Sequence, residues 1–277
     1  AAGDASPGRL MRAPGCGPLA AIRATARRGP GKGARAVSST VVWARVPIAL
    51  EAPETMVPAL QSVLEGEYET GWSGEGLRVL DIGANVGAFA IWASLRWPGS
   101  RIDSFEPHPG TFAMLERNTK PFPGITPHHR AVWPEPGRAR YFGRYAGDGE
   151  AGIVSVIGRM FAEVPLDRSF EVEVVHPAAL PRADVVKLDV EGAEPEILEH
   201  LDLSATSLML MEYHSDAGKR RILEVTRGRF AVLRAVDHPW RGLMDRPEYR
   251  ADLADDHFGL LFLIAREGCR LRPPAAG

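Results

Sequence analysis

Apolar residues recur along this chain in two rhythms, and the rhythm changes near residue 78. Before it, residues 53–68 set Met56, Leu60, Val63 and Leu64 at helical spacing among acidic positions, which predicts a helix packed ahead of the main domain. Gly71, Gly74 and Gly76 then mark a loop. Beyond them, short apolar runs alternate with amphipathic stretches. The runs at 79–82, 101–106, 125–133, 185–189, 207–213, 230–236 and 259–265 read as strands. Helices are predicted over 88–97, stopped by Pro98-Gly99, over 111–118, and over 194–201 with Pro195 in the first turn. This alternation predicts an α/β fold, a mainly parallel sheet with helices on both faces.

Residues 134–176 break the rhythm. Segments 138–142, 153–157 and 170–175 read as short extra strands between Gly-rich turns, an insertion lying over the carboxyl edge of the sheet. The acidic, proline-containing stretch 240–257 reads as a hairpin loop or lid between the last two strands. No internal repeat is present.

Composition narrows the class. With 277 residues, 45% of them apolar, 25% charged and a net charge of −2, the chain has room for one large α/β domain and carries no basic field for nucleic acid. No apolar run is long enough to span a bilayer. Cys16 and Cys269 lie near opposite ends without metal or disulfide spacing, which fits a reducing compartment. The first 45 residues are different: Arg9, Arg12, Arg23, Arg27, Arg28, Lys32, Arg35 and Arg45 face a single acid, Asp4. Few large apolar side chains accompany them, so residues 1–45 are expected to be disordered and the folded domain to run over 46–270. The segment fits an organelle transit peptide; the other reading is an over-extended start, with Met11 or Met56 as the first residue. The expected location is the cytoplasm, or an organelle under the transit reading.

Candidate chemistry gathers at strand ends. The segment Asp81-Ile-Gly83-Ala-Asn85-Val-Gly87 follows a strand and opens a helix, where glycines let the backbone turn tightly and approach a ligand. The dinucleotide fingerprint GxGxxG is not met, because Asn85 and Ala88 stand at its second and third glycines. Glu106 ends the next strand at the offset of a ribose-binding acid. Loss of the diphosphate glycines with retention of that acid suits a nucleoside without a pyrophosphate, such as S-adenosylmethionine. A third segment, Lys187-Leu-Asp189-Val-Glu191-Gly192-Ala-Glu194, ends a buried strand in three carboxylates around a glycine turn. Glu194 reads equally as a cap on the following helix. Adjacent His128 and His129 point to opposite faces of a strand, so no metal is expected from them; magnesium on Asp189, Glu191 and Glu194 is the alternative. Trp92 reads as buried packing.

Together, the segments 79–87, Phe105-Glu-Pro107 and Lys187–Glu194 resemble the FkbM family of methyltransferases, and the resemblance runs from about Gly66 to Ala265. It implies a Rossmann-like class I methyltransferase: a seven-stranded sheet with an antiparallel last strand, S-adenosylmethionine as cofactor and, usually, a hydroxyl oxygen as acceptor. Carried over by position, Asp81, Gly83, Asn85 and Gly87 surround the methionine portion. Glu106 holds the ribose, Pro107 and His108 flank the adenine, and Asp189 lies nearest the sulfonium and the acceptor. Asp189 and His214 are the candidate bases, while Glu191, Glu194 and Trp240 are candidates for the substrate side. Glu212 is expected on the opposite face from His214. One departure is visible: members often show Thr-Leu-Asp before the fourth strand, where this chain has Val175-His176-Pro177, with His176 as a stand-in. The expected function is O-methylation of a small molecule or sugar, without nucleic acid or a membrane span. An NAD-dependent oxidoreductase and a non-catalytic cofactor-binding module are the alternatives.

Overall fold

The computed structural model describes residues 20–26, 36–43, 46–239 and 249–274. The main sheet is built from β4 (Arg78–Ile82), β5 (Arg101–Phe105), β6 (Ile125–His128), β11 (Val185–Leu188), β12 (Leu208–Tyr213), β13 (Phe230–Pro239) and β14 (His257–Ala265). Its seven strands run in the order β13-β14-β12-β11-β4-β5-β6. Neighbours from β12 through β6 pair in parallel, and β14 lies antiparallel to both β12 and β13. From β4 the chain first builds outward through β5 and β6, then returns to lay β11 on the other flank. The strand order therefore reverses between β4 and β11, the crevice where open α/β sheets bind ligands.

Alternation along each strand feeds two cores. Leu80, Ile82, Val186, Leu188, Met209 and Met211 enter one, packed with α5 (Glu194–Leu198) and α6 (Asp216–Thr226) through Ile197, Leu198 and Ile222. Val79, Val185, Leu208 and Leu210 enter the other, beneath α1 (Val57–Leu64) and α2 (Ala88–Arg96). Trp92 is fully buried there and meets Trp97 edge-on, with ring centroids 5.3 Å apart. α3 (Pro109–Thr119) links β5 to β6.

Several boundaries differ from the sequence reading. Within the segment expected to be disordered, β1 (Ala20–Ala26) and β2 (Ala36–Trp43) are strands and pair antiparallel with each other. β2 also pairs with β3 (Val46–Pro53), giving a three-stranded sheet. Ladder hydrogen bonds come from the main chain, so poverty in large apolar residues does not forbid them, and the β-branched run Thr40-Val41-Val42 favours extended backbone. The predicted strand 125–133 breaks at His129-Arg130: β6 stays in the main sheet, and β7 (Ala131–Val132) pairs with the insertion instead. The predicted strand 153–157 lasts two residues in β9 (Gly152–Ile153), then coils into α4 (Val154–Ile157), which buries Val156 and Ile157.

The insertion adds β8 (Arg138–Phe142) and β10 (Ser169–Val175) to form a second sheet in the order β7-β10-β8-β9. Its loop 143–152 is cinched by Arg144, which reaches Asp148 at 2.8 Å and Glu150 at 2.5 Å. Tyr249 closes onto this loop: its hydroxyl donates to Glu150, and its ring stacks on Phe161 at 5.3 Å. Residues 251–255 make one short turn before β14.

Candidate functional site

A cleft opens at the strand-order reversal. Gly83 and Asn85 after β4, Glu106 and Pro107 after β5, and Asp189, Val190 and Glu191 after β11 form its floor, while Tyr141, Asp148, Gly149 and Gly152 of the insertion form a wall. It is open to solvent, and the space between its floor and wall, solvent at the mouth included, is about 590 Å³.

Close approach of two strand ends shapes this floor. Gly83 has φ +81°, and a Cβ there would lie 1.7 Å from the Asp189 carbonyl oxygen. The turn continues through Asn85 at φ 48°, a left-handed conformation that asparagine tolerates. The Asn85 N–H donates to Glu106 Oε2 at 3.0 Å, and the His108 N–H donates to Oε1 at 2.8 Å. Each Glu106 oxygen thus holds one backbone hydrogen and keeps acceptor capacity toward the cleft. Burial pushes the Glu106 carboxyl up to about 7 against those two bonds. Asn85 Oδ1 is buried without a hydrogen-bond partner among the described residues. A ligand hydroxyl or amine would satisfy that atom, and the pair of Glu106 acceptors matches a ribose diol.

Not every predicted residue reaches the cleft. Asp81 is fully buried beneath it, in a cross-strand row Ser104–Asp81–Lys187 set by the β5-β4-β11 register. Ser104 Oγ donates to Asp81 at 3.3 Å, and Lys187 Nζ stands 3.6 Å away. Lys187 Nζ also donates to the Gly83 carbonyl at 2.5 Å and lies 3.4 Å from Asp189 Oδ2. Burial alone would push Lys187 down, yet Asp189 and Asp81 outweigh it and hold the ammonium above its usual range. Lys187 is thus the clip between the two halves of the floor, a role the sequence reading missed. Its signal was a charge inside the apolar strand 185–188.

Gly87 faces away from the cleft: a Cβ there would meet Leu115 at 2.8 Å, so its freedom serves the packing of α2 against α3. His108 caps α3, its Nδ1 accepting from the Gly110 and Thr111 N–H groups, and its ring sits edge-on to Phe170. It therefore does not flank the cleft as the resemblance implied. His176 caps a short turn by accepting from the Ala178 N–H, and is not among the residues lining the cleft. His128 pairs with Asp103 and His129 stacks on Phe112, each at its own place.

At the acceptor end, Glu194 is turned inward. Its Oε1 accepts from the Val190 and Gly192 N–H groups at 3.0 and 3.3 Å, bracing the turn that carries Glu191 at φ 55°. It is a turn brace and not a surface of the cleft. His214 is 7% exposed, with Nε2 3.3 Å from Glu191 and Nδ1 3.4 Å from Glu194. Burial would push its ring down, but the two carboxylates win and raise it well above the ordinary histidine range. The ring is engaged by these two acids and is not among the residues lining the cleft. Glu191 itself is pushed up to about 7, chiefly by burial. Glu212 does not point away from His214: positions two apart along an extended chain share a face, and acid groups of Asp189 and Glu212 converge with His214 within 4.8 Å. Trp240 lies outside the described residues.

No family model matches the chain. It is 26% identical over 196 residues to Methyltransferase 1 of Beauveria bassiana, covering 58% of this chain and 74% of that one. It is 25% identical over 157 residues to the hexuronic acid methyltransferase AglP of Haloferax volcanii, covering 52% of this chain but only 59% of the relative. A shorter stretch of 40 residues is 48% identical to the 31-O-demethyl-FK506 methyltransferase FkbM of Streptomyces tacrolimicus, covering 14% of this chain and 15% of that one. Among the described residues no helix is long and apolar enough to cross a membrane. The strand order is that of a Rossmann-like methyltransferase fold, the cleft lies at its order reversal, and the chain is similar in sequence to methyltransferases, over one short stretch to FkbM.

Proposed function

We propose that this chain moves a methyl group from S-adenosylmethionine to a hydroxyl oxygen of a small molecule or sugar. The observation that carries the reading is the pairing of Glu106, with an acceptor left on each oxygen, and the unpartnered Asn85 Oδ1 across one narrow floor. Two relatives are named for a hexuronic acid and for a 31-O-demethyl substrate, which supports oxygen as the acceptor atom. When bound, the cofactor supplies an electrophilic methyl on a sulfonium that leaves readily. The residues here orient and shield. Glu106 and Asn85 fix the nucleoside, the insertion wall excludes water, and Asp189, clipped by Lys187, presents a carboxylate at the far end of the floor.

Titration calorimetry with S-adenosylhomocysteine tests the reading. Saturable binding is expected, with NAD unable to compete because Asn85 stands where a diphosphate cradle needs glycine; a folded sample that binds NAD and not the homocysteine refutes it. Glu106→Gln should weaken that binding by about tenfold or more, the worth of hydrogen bonds to a charged group. Acidity should act in the same direction. The carboxylate accepts both ribose hydroxyls and the acid does not, so affinity should fall as pH drops through about 7 in the wild type and stay flat in Glu106→Gln. Equal pH profiles for the two proteins would count against Glu106 as the ribose acceptor.

A further inference from the structure

We propose that Asp189, Glu212 and His214 form a site for one divalent cation of the magnesium–manganese kind, placed to hold an oxygen of the acceptor. Their ligating atoms come from the carboxyl ends of two neighbouring strands, β11 and β12, and all lie within 4.8 Å of one another. Ligands at about 2.1 Å on an octahedral ion sit about 3 Å apart, so this spacing closes around an ion with a small adjustment.

Charge is the second line of support. Asp189, Glu191, Glu194 and Glu212 converge on a region whose cations are Lys187 and the His214 ring. Lys187 is shared: it donates to the Gly83 carbonyl and is also claimed from beneath by Asp81, whose buried Oδ1 has no hydrogen bond. Among the described residues Glu212 has no lysine or arginine at ion-pair distance, and its carboxyl lies against that of Asp189. Two carboxylates placed this close repel each other, and a cation shared between them relieves that repulsion. His214 stands between two acids, with Nδ1 3.4 Å from Glu194 and Nε2 3.3 Å from Glu191, so an ion bound at Nε2 takes the place of a proton now shared with Glu191. Glu194 is in turn anchored by two backbone N–H groups.

Two carboxylates and one imidazole leave coordination positions for water or for acceptor oxygens, and Asp189 borders the open cleft, so an ion has a way in. A second group, Asp216, Asp256 and His257, is spaced similarly. There, however, Asp256 Oδ1 already accepts from the Asp216 and His257 N–H groups, and His257 Nδ1 meets Asp216 at 3.0 Å, so local bonds account for it.

The role given to the ion rests on the methyl-transfer reading; the site itself does not. The test uses the full chain and Mn²⁺ alone, followed by electron paramagnetic resonance, with S-adenosylhomocysteine affinity measured on the same samples. One saturable Mn²⁺ per chain is expected. Glu212→Gln and Asp189→Asn should each weaken it at least about tenfold, while Asp216→Asn leaves it unchanged. S-adenosylhomocysteine affinity in Glu212→Gln should stay within about twofold of wild type, showing that the variant is folded. No Mn²⁺ binding by protein that still binds S-adenosylhomocysteine overturns the cation site and leaves the cofactor reading standing. So does binding that survives Glu212→Gln or vanishes in Asp216→Asn. Mn²⁺ binding without S-adenosylhomocysteine binding has the opposite meaning: the site stands and the methyl-transfer reading falls.

Discussion

Gly83→Ala is expected to abolish the folded domain, not merely to weaken cofactor binding. The added methyl would sit 1.7 Å from the Asp189 carbonyl oxygen, inside its van der Waals radius, at a φ of +81° that alanine resists. Neither atom is the end of a flexible side chain. Relief requires that β4 and β11 separate, and these strands pair through four consecutive residues at the centre of the sheet. A loss on the order of 4 kcal/mol or more follows, a large share of the roughly 5–15 kcal/mol that holds a domain together. Gly76→Ala is the control. It has φ +61° but nothing within 4 Å of the added carbon, so it should cost only about 1 kcal/mol of backbone strain. Denaturant midpoints of the two variants check the contrast; a wild-type midpoint for Gly83→Ala would mean the strands do not approach in this way.

Lys187→Met should cost about 3–5 kcal/mol at neutral pH, the usual result of removing one partner from a buried ion pair. Methionine fills the space, so the loss is electrostatic: Asp81, fully buried, keeps only the Ser104 hydroxyl. The pH dependence has a definite sign. Burial already raises the folded-state ionisation range of Asp81 above its unfolded value, and loss of the ammonium raises it further. An acid raised in the folded state favours folding as it takes up its proton. The variant should therefore recover stability relative to wild type as pH falls from 7 toward 5. A gap constant across that window in chemical denaturation would show that Asp81 does not carry the penalty.

Much of the architecture was legible because burial writes it into the chain. The runs 79–82 and 185–189 are apolar since both faces of a central strand are covered, and they fall within a residue or so of β4 and β11. Gly83 and Glu106 were found by offset, because a strand end, a tight turn and the next strand end are fixed distances apart along the sequence. The remainder depends on partners far away in the sequence. For His108 the cap on Gly110 and Thr111 is local, but the contact that holds its ring, Phe170, is far away in the sequence. Glu212 and His214 share a face because they lie two apart along the chain, whereas Asp189 joins them only through the pairing of β11 with β12. Lys187 was visible as a charge out of place, while its two carboxylate neighbours follow only from the register of β4 against β11. Strands β1 and β2 were invisible for another reason: their ladder is made by backbone groups that every sequence has.

The bond from Tyr249 to Glu150 joins positions 99 residues apart and ties the return segment 249–255 to the wall that carries Gly149 and Gly152. The two stretches therefore share one conformational entropy. A ligand that stills the wall leaves less disorder for the return segment to lose, and whatever settles the return segment does the same for the wall. Occupancy of the cleft and order in the return segment should rise together, and a single nick in the backbone between β13 and β14 should soften both.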